Sequence, residues 1–313
     1  MKTNPVSLFS MVAGVILLSL ITGSEANART WTATDGRTLE AEFVSATADG
    51  VTVKLANGTT RTLPLAVLSA GDKEWLASQA TASAKPVALT GPFAELVTGD
   101  WALSELEGLP YAFFGPKELE SGRKYPLLLA LHGKSDNNEN GKQVGGWMKT
   151  FTKPEELQTR ACFVVAPLCY QPYGATGGGW SDKPGDQAIA LVKAAMKALP
   201  IDESRVYVIG YSMGGFGTCH LMAQEPKLFT AGVPVAGYGS SGDAGELKRK
   251  PIWLFHAADD TVVSVDGARQ FADAMGRSKT FQYTEYPDGG HGIIGRVFDD
   301  PKVHEWLFQQ KEE

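Results

Sequence analysis

The chain carries the pentapeptide Gly210-Tyr211-Ser212-Met213-Gly214 between two contrasting patterns. The apolar, β-branched residues 205–209 precede it and predict a strand, whereas residues 215–223 have the pattern of a helix. A serine on so sharp a strand-to-helix turn has a strained backbone, and its small neighbours let strand and helix approach closely. The stretch therefore predicts a nucleophilic Ser212, with a glycine-rich turn and an idle serine as the alternative.

Apolar runs alternate with helical patterns over residues 93–313 and predict a mostly parallel sheet covered by helices on both faces. The predicted strands are residues 125–131, 162–167, 205–211, 232–236, 252–256 and 281–286. The predicted helices are residues 185–199, 213–224, 265–276 and 301–309. Because ligands of such sheets bind beyond the carboxyl ends of the strands, we expect the chemistry in the residues that follow them.

Three polar side chains follow predicted strands in the order Ser212, Asp260, His291, which is the order of a hydrolase triad. A serine hydroxyl needs a base within hydrogen-bond reach, and that base needs a carboxylate that fixes its tautomer. His291 lies in a glycine-flanked loop and is preferred as the base over His256, which also ends a strand. Asp260 is preferred as the acid over its neighbour Asp259 because of its spacing to the two valines that follow.

The remaining site candidates flank the predicted nucleophile. We expect an oxyanion hole made of two backbone N–H groups, those of Lys134 and Met213. His132 and Trp180 are the candidate substrate-binding residues. For His132 a structural role in holding its loop is favoured, and for Trp180 burial in the core is equally expected. Trp147, in a second glycine-containing loop, is a further candidate for the pocket rim.

Several of these runs resemble α/β-hydrolases variously described as phospholipase/carboxylesterase, polyhydroxybutyrate-depolymerase-like esterase and "predicted peptidase". They are Tyr125-Pro126-Leu127-Leu128-Leu129-Ala130-Leu131-His132-Gly133, Val164-Val165-Ala166-Pro167, Gly210-Tyr211-Ser212-Met213-Gly214-Gly215 and Tyr286-Pro287-Asp288-Gly289-Gly290-His291. The resemblance implies the α/β-hydrolase fold and its triad. The polar residues after Gly133 differ from the glycine-rich continuation of many relatives, and Ser212 replaces the cysteine of dienelactone hydrolases.

Residues 29–80 predict a separate small module of short strands. Asp35-Gly36, Asp49-Gly50 and Asn57-Gly58 are typical hairpin-turn pairs. The sequence from Ser69 to Asp72 predicts a capping box at the start of a short helix. The alternation of strands and tight turns favours a small β-barrel or sandwich.

Residues 29–43, Pro64-Leu65 and residues 72–76 of this module resemble the SLA homology domain, an SH3-like barrel that reads short peptides. The resemblance implies a peptide or envelope ligand for the barrel. Trp31, Phe43 and Trp75 are candidates to line a groove, with the core as the preferred interpretation. Residues 81–92 are small and polar and predict a linker to the catalytic domain at 93–313.

Residues 1–28 have the features of a secretory signal peptide. Lys2 supplies a positive charge, residues 8–21 an apolar core, and Ala26-Asn27-Ala28 a cleavage site. A transmembrane span needs about 20 apolar residues, and this run is shorter. We therefore expect an exported protein, periplasmic or secreted, that is soluble after cleavage.

Composition narrows the partners. Of 313 residues, 43% are hydrophobic and 20% charged, as in globular proteins, and the net charge of −6 argues against nucleic-acid partners. Three cysteines, Cys162, Cys169 and Cys219, leave at least one free and their pairing open. No spacing of Cys and His predicts a metal site, and the expected chemistry needs no cofactor.

The leading hypothesis is an exported serine esterase that cleaves carboxylic esters, with acyl or feruloyl esters of polysaccharides as candidate substrates. A serine peptidase of the prolyl-oligopeptidase-like type is the alternative, because the same triad can cleave amides. A third interpretation is a non-catalytic envelope binding protein whose hydrolase module is a relic. The complete set Ser212, Asp260 and His291 argues against that interpretation.

Overall fold

The computed structural model of the protein describes residues 28–47, 50–83, 89–134, 139–171, 173–174 and 177–312. The chain divides into two units, Met1–Pro86 and Val87–Glu313. The expected signal peptide lies outside the described residues except for Ala28. Asp49 of one expected turn and residues 84–88 of the expected linker also lie outside them.

The N-terminal unit contains an antiparallel sheet whose strands pair in chain order. The strands are β1 (Ala28–Thr32), β2 (Thr38–Ala46), β3 (Gly50–Lys54) and β4 (Thr60–Pro64). Helix α1 (Ala70–Ser83) follows. Half of the expected capping box is present: Asp72 N–H donates to Ser69 Oγ over 3.1 Å, whereas Ser69 N–H donates to the Thr32 carbonyl instead of the Asp72 side chain. Gly36 and Gly58 have φ of +86° and +81°, which glycine adopts without steric cost in the hairpin loops. The SH3-like barrel stays a prediction.

Aromatic side chains form the core of this unit. Trp31 is 1% exposed, and its ring lies 5.5 Å from Trp75 and 6.3 Å from Phe43, centroid to centroid. The three aromatic residues therefore pack together, as the preferred interpretation had it. The Arg29 guanidinium lies 3.9 Å from the centre of the Trp75 ring and pairs with Asp72 over 2.6 Å.

The C-terminal unit is built on an eight-stranded sheet of order β14-β13-β12-β11-β7-β8-β6-β5. Its strands are β5 (Trp101–Leu106), β6 (Leu109–Phe114), β7 (Tyr125–Leu131), β8 (Phe163–Pro167), β11 (Ile201–Tyr211), β12 (Ala231–Val235), β13 (Ile252–Ala257) and β14 (Phe281–Tyr286). A separate two-stranded ribbon pairs β9 (Tyr173–Gly174) with β10 (Gly177–Gly178). All six predicted strands are present, and the pairs from β8 through β7 to β14 are parallel.

The hairpin β5–β6 was not expected from the sequence. It joins the sheet antiparallel to β8, so one edge departs from the parallel order. Its turn is Glu107-Gly108, with φ of +49° and +79°. Two residues with positive φ make the turn type that suits a tight hairpin, but glutamate is not a residue that signals it.

Helices connect the strands of this unit. They are α2 (Gly146–Lys149), α3 (Pro154–Arg160), α4 (Lys183–Ala198), α5 (Met213–Gln224), α6 (Ala244–Leu247), α7 (Val265–Met275), α8 (Ile294–Phe298) and α9 (Pro301–Gln309). The side chains of Ser264 and Asp300 accept backbone N–H groups and cap α7 and α9. No helix in the described part of the chain is long and apolar enough to cross a membrane.

The central strands bury both faces, so the unit has two cores. Alternate side chains of a strand point to opposite faces. Leu127, Leu129 and Val208 accordingly belong to one cluster, and Leu128 and Ile209 to the other. Burial on both faces explains why these strands are apolar along their length.

Candidate active site

The predicted nucleophile lies at the centre of the sheet, where β11 ends and α5 begins. Ser212 has φ +53° and ψ −115°, a conformation that costs a residue with a Cβ atom energy. The close approach of strand and helix explains the flanking glycines. A Cβ atom at Gly214 would lie 2.0 Å from the carbonyl oxygen of Leu131, and one at Gly210 would lie 2.1 Å from that of Gly214.

His291 follows β14 and meets the serine. Its Nε2 lies 2.9 Å from Ser212 Oγ, and its Nδ1 lies 2.8 Å from Asp260 Oδ2. The carboxylate accepts a hydrogen bond from Nδ1–H, so the lone pair on Nε2 faces the hydroxyl. His291 is 18% exposed in its side chain, whereas the Asp260 side chain is fully buried. The structure thus brings together the three side chains that the sequence analysis selected.

Asp260 is held as an anion. Its Oδ1 accepts the backbone N–H groups of Val262 and Val263, each over 2.9 Å. Burial alone would raise the pKa of this carboxyl, but the hydrogen bonds from His291, Val263 and Val262 outweigh burial and lower it. The carboxylate is therefore available to stabilise a protonated His291.

The backbone around His291 is tied down on both sides. Gly289 and Gly290 have φ of +117° and +57°, and Gly290 N–H donates to Asp259 Oδ1 over 2.7 Å. The Tyr211 hydroxyl donates to the His291 carbonyl over 2.9 Å, and the two rings lie 5.1 Å apart, centroid to centroid. Asp259 thus braces the histidine loop. The Tyr211 contact was missed, because nothing in the sequence relates the residue before the nucleophile to the last loop.

The expected oxyanion donors flank the nucleophile along the chain and across the sheet. Met213 is the first residue of α5, and the N–H groups of a helix's first turn have no partner within the helix. Lys134 is exposed and follows Gly133, at which an added Cβ atom would lie 3.3 Å from Ser212 Cβ. The chain after β7 therefore runs beside the serine. Residues 135–138, the polar stretch that follows, lie outside the described residues.

The two candidate substrate-binding residues are both buried, in line with the structural role favoured for His132 and with the core alternative for Trp180. His132 is 6% exposed, with Nδ1 2.6 Å from the Gly133 carbonyl and Nε2 2.9 Å from Cys169 N. Trp180 is 1% exposed and donates from Nε1 to the His132 carbonyl over 3.0 Å. Both ring nitrogens of His132 are engaged by backbone. These side chains hold the loop after β7 in place, and neither forms an open rim.

His256, the alternative base, lies on the far side of the acid. Its side chain is fully buried, and its Nε2 lies 3.0 Å from the Val263 carbonyl and 3.3 Å from Asp260 Oδ2. Neither of its ring nitrogens makes a hydrogen bond to Ser212. Burial also governs the cysteines, which are all free, and raises the pKa of Cys162 to about 12 and of Cys169 to about 11. Among the described residues, no group of three His, Cys, Asp or Glu side chains could hold a metal ion.

A sequence model of the prolyl oligopeptidase family matches residues 173–242, a stretch that contains the Ser212 turn. The crystal structure of a thermostable esterase superimposes with a TM-score of 0.62 at 30% identity, covering 69% of this chain and 64% of that one. The fold is that of the α/β-hydrolases.

Two curated relatives of this α/β-hydrolase chain are esterases by name. A bifunctional acetylxylan esterase/xylanase of Neocallimastix patriciarum is 31% identical over 47% of this chain and 21% of that protein. A probable feruloyl esterase C of Aspergillus terreus is 23% identical over 61% of this chain and 70% of that protein. The chain thus spans about a fifth of the first relative and more than two thirds of the second.

Proposed function

We propose that the protein is a serine hydrolase that cleaves carboxylic esters through an acyl-enzyme on Ser212. The observation that carries the proposal is the chain of hydrogen bonds from Asp260 through His291 to Ser212, with links of 2.8 and 2.9 Å. The similarity to the esterases named above supports the choice of ester substrates.

In the first half of the reaction, Ser212 Oγ attacks the ester carbonyl while its proton passes to His291 Nε2. Asp260 stabilises the imidazolium that forms, and before the reaction it favours the His291 tautomer with the hydrogen on Nδ1. The carbonyl oxygen becomes an oxyanion, for which the N–H groups of Met213 and Lys134 are the proposed donors. His291 then gives its proton to the leaving alcohol.

In the second half, a water molecule replaces the alcohol. His291 takes a proton from this water, which attacks the acyl carbon and forms a second oxyanion intermediate at the same donors. Collapse of that intermediate returns the proton from His291 to Ser212 Oγ and releases the carboxylic acid. Every proton in this cycle moves through His291 Nε2, so the 2.9 Å link to Ser212 is the essential contact.

The substrates we propose are acyl or feruloyl esters of polysaccharides, in line with the names of the two curated relatives. We further propose that residues 1–28 direct export to the periplasm or medium. The N-terminal module at 29–80 is proposed to be an SH3-like domain with a peptide or envelope ligand, joined by a linker at 81–92 to the catalytic domain at 93–313.

The test is hydrolysis of p-nitrophenyl acetate together with labelling by a fluorophosphonate. The wild-type chain should turn over the ester and take the label at Ser212, and Ser212→Ala should lose both. Ser278→Ala is the matched control, because Ser278 precedes β14 and so lies at the opposite edge of the sheet. A wild-type protein that neither hydrolyses the ester nor takes the label would favour the non-catalytic binding protein.

A serine peptidase is the second candidate, and the match to the prolyl oligopeptidase family model favours it. The same triad cleaves an amide when His291 protonates the departing amine. Parallel assays with methyl ferulate, p-nitrophenyl acetate and a proline-containing peptide p-nitroanilide separate the two. We expect kcat/KM to be higher for the esters, and the reverse order would assign the site to peptides.

A further inference from the structure

His256 is a fully buried histidine that the proposed reaction leaves without a role. It lies in β13, one residue before the strand ends, and its side chain has no exposed surface. Buried polar groups in proteins are almost always hydrogen-bonded, so a buried imidazole needs an explanation. The explanation lies in what each of its two nitrogens meets.

The surroundings of Nε2 fix the tautomer. This nitrogen lies 3.0 Å from the Val263 carbonyl oxygen and 3.3 Å from Asp260 Oδ2. Both oxygens are acceptors only, because the carbonyl has no proton and the pKa of Asp260 is lowered. Nε2 must therefore carry the hydrogen, which it donates to the Val263 carbonyl, with Asp260 Oδ2 as a close neighbour.

The other nitrogen is an orphan. His256 Nδ1 is buried and has no hydrogen-bond partner among the described residues. A hydrogen on Nδ1 would be a buried donor without an acceptor, so the surroundings favour the tautomer with the hydrogen on Nε2. Only Nε2 of this histidine interacts with polar groups.

The Nε2–H group of His256 holds the turn that surrounds the carboxylate of Asp260. Asp260 Oδ1 accepts from Val262 and Val263, whereas Oδ2 accepts from His291 and lies within 3.3 Å of His256 Nε2. Without His256, the Val263 carbonyl would lose its partner, and the turn that carries the two N–H donors to Oδ1 would be less firmly held. The carboxylate would then be freer to rotate about its χ2 angle and lose its aim at His291.

We propose that His256 is a positioning residue, whose Nε2–H holds the Val263 carbonyl and so keeps the turn from Asp260 to Val263 in place, with Asp260 Oδ2 aimed at His291. It acts on the reaction only through Asp260 and touches no substrate. The kinetic test of this role rests on the proposed esterase function, whereas a spectroscopic test does not.

The kinetic test uses the difference in reach between two amides. The side-chain nitrogen of Gln overlays Nε2 of histidine, whereas that of Asn overlays Nδ1. His256→Gln should therefore keep kcat within about twofold of wild type, and His256→Asn and His256→Leu should lower it about three- to tenfold, the range expected for loss of a neutral hydrogen bond. KM should stay within about twofold in all three, since no substrate contact changes.

Three results would overturn the proposal. They are rescue by Asn but not by Gln, equal kcat in all variants, or a raised KM with unchanged kcat. A double variant with Asp260→Asn supplies a further check. Replacement of His256 by Leu should then cost little beyond the loss from Asp260→Asn alone, because the residue acts through that carboxylate.

The spectroscopic test needs neither turnover nor a folded variant. In wild-type protein with ¹⁵N-labelled histidine, the imidazole ¹⁵N shifts of His256 should show hydrogen on Nε2 and a lone pair on Nδ1 at neutral pH. The opposite tautomer, or a doubly protonated ring, would overturn the proposal. A wild-type protein without esterase activity but with this tautomer would refute the proposed function and leave the placement of Asp260 intact.

Discussion

Two neighbouring carboxylates, Asp259 and Asp260, have different work in this structure. Asp260→Asn should lower kcat by about 10⁴, as in serine proteases, because an amide no longer fixes the Nδ1–H tautomer of His291. Asp259→Asn should have little effect, since an amide oxygen still accepts the Gly290 N–H. Steady-state kinetics on p-nitrophenyl acetate measure both. A large loss in Asp259→Asn with a small one in Asp260→Asn would move the acid by one residue.

The Tyr211 hydroxyl offers a second test at this scale. Tyr211→Phe removes the donor to the His291 carbonyl and keeps the ring that packs on the imidazole. We expect kcat to fall about three- to tenfold with KM unchanged, because a neutral hydrogen bond contributes about 1 kcal/mol.

Tyr125→Phe is the control for Tyr211→Phe. It also deletes a hydroxyl with a backbone partner, Glu120 N, but at the start of β7, away from the carboxyl edge of the sheet. Its kcat should match that of the wild type. Equal losses in the two variants would mean that the Tyr211 effect is one of stability alone.

Sequence reasoning reached Ser212, Asp260 and His291 because each follows a predicted strand, and the carboxyl ends of parallel strands share one edge. It could not decide the state of His132 and Trp180. Their burial follows from the loops that surround them, and a loop's packing leaves no periodic signal along the chain. The hydrogen bond from the Tyr211 hydroxyl was missed for the same reason, because its partner lies 80 residues away in a loop.

At the scale of elements, the crossing of α5 over β7 and β11 depends on glycine. A Cβ atom at Gly214 would meet the Leu131 carbonyl oxygen at 2.0 Å, and backbone cannot move aside as a side chain can. Gly214→Ala should therefore lower the free energy of unfolding by at least about 2 kcal/mol and reduce kcat, because Ser212 moves with the helix. Urea denaturation and ester kinetics measure the two effects.

Gly245→Ala is the matched control for the Gly214 substitution. Gly245 also lies in a helix, α6, but nothing comes within 4 Å of an added Cβ atom there. Its substitution should leave kcat unchanged and raise stability slightly, since alanine loses less chain entropy on folding than glycine. Loss of activity in this variant would mean that helix glycines matter for another reason.

The elements themselves were mostly predictable. Strand β7 and helices α5 and α9 begin and end at the predicted residues. Helix α4 begins two residues earlier than predicted, at Lys183, because Pro184 suits a helix's first turn. The β5–β6 hairpin was not predicted because its turn lacks the Asn-Gly or Asp-Gly pair that marks such loops.

At the scale of the molecule, the buried His132 makes stability depend on pH. Burial lowers the pKa of this histidine below its ordinary value of 6.5. As pH falls through 6.5 the unfolded chain takes up a proton that the folded chain does not, so stability falls with pH in this window. Urea midpoints at pH 7.5 and 5.5 should differ in wild type and differ less in His132→Gln. An equal slope in both proteins would mean that His132 protonates without cost.

The two units make a further prediction, on the independence of the proposed catalytic domain. Among the residues that the structure describes, the buried clusters of the C-terminal unit draw only on residues from 89 onward, and the cluster of the N-terminal unit only on residues up to 76. A chain that begins at Val87 should therefore fold and keep its kcat/KM on p-nitrophenyl acetate within about twofold. A folded but inactive truncation would contradict the assignment of the chemistry to this unit alone.

The three free cysteines allow unfolding of the C-terminal unit to be followed by thiol modification. Cys162 packs in the cluster on one face of the sheet, and Cys169 and Cys219 in the cluster on the other. All three thiols are buried in the native protein, so modification by a thiol reagent marks an opening event. The modified peptide then identifies the face that opened first. The wild-type chain thus reports the order in which its two layers separate, with no dye or engineered residue added.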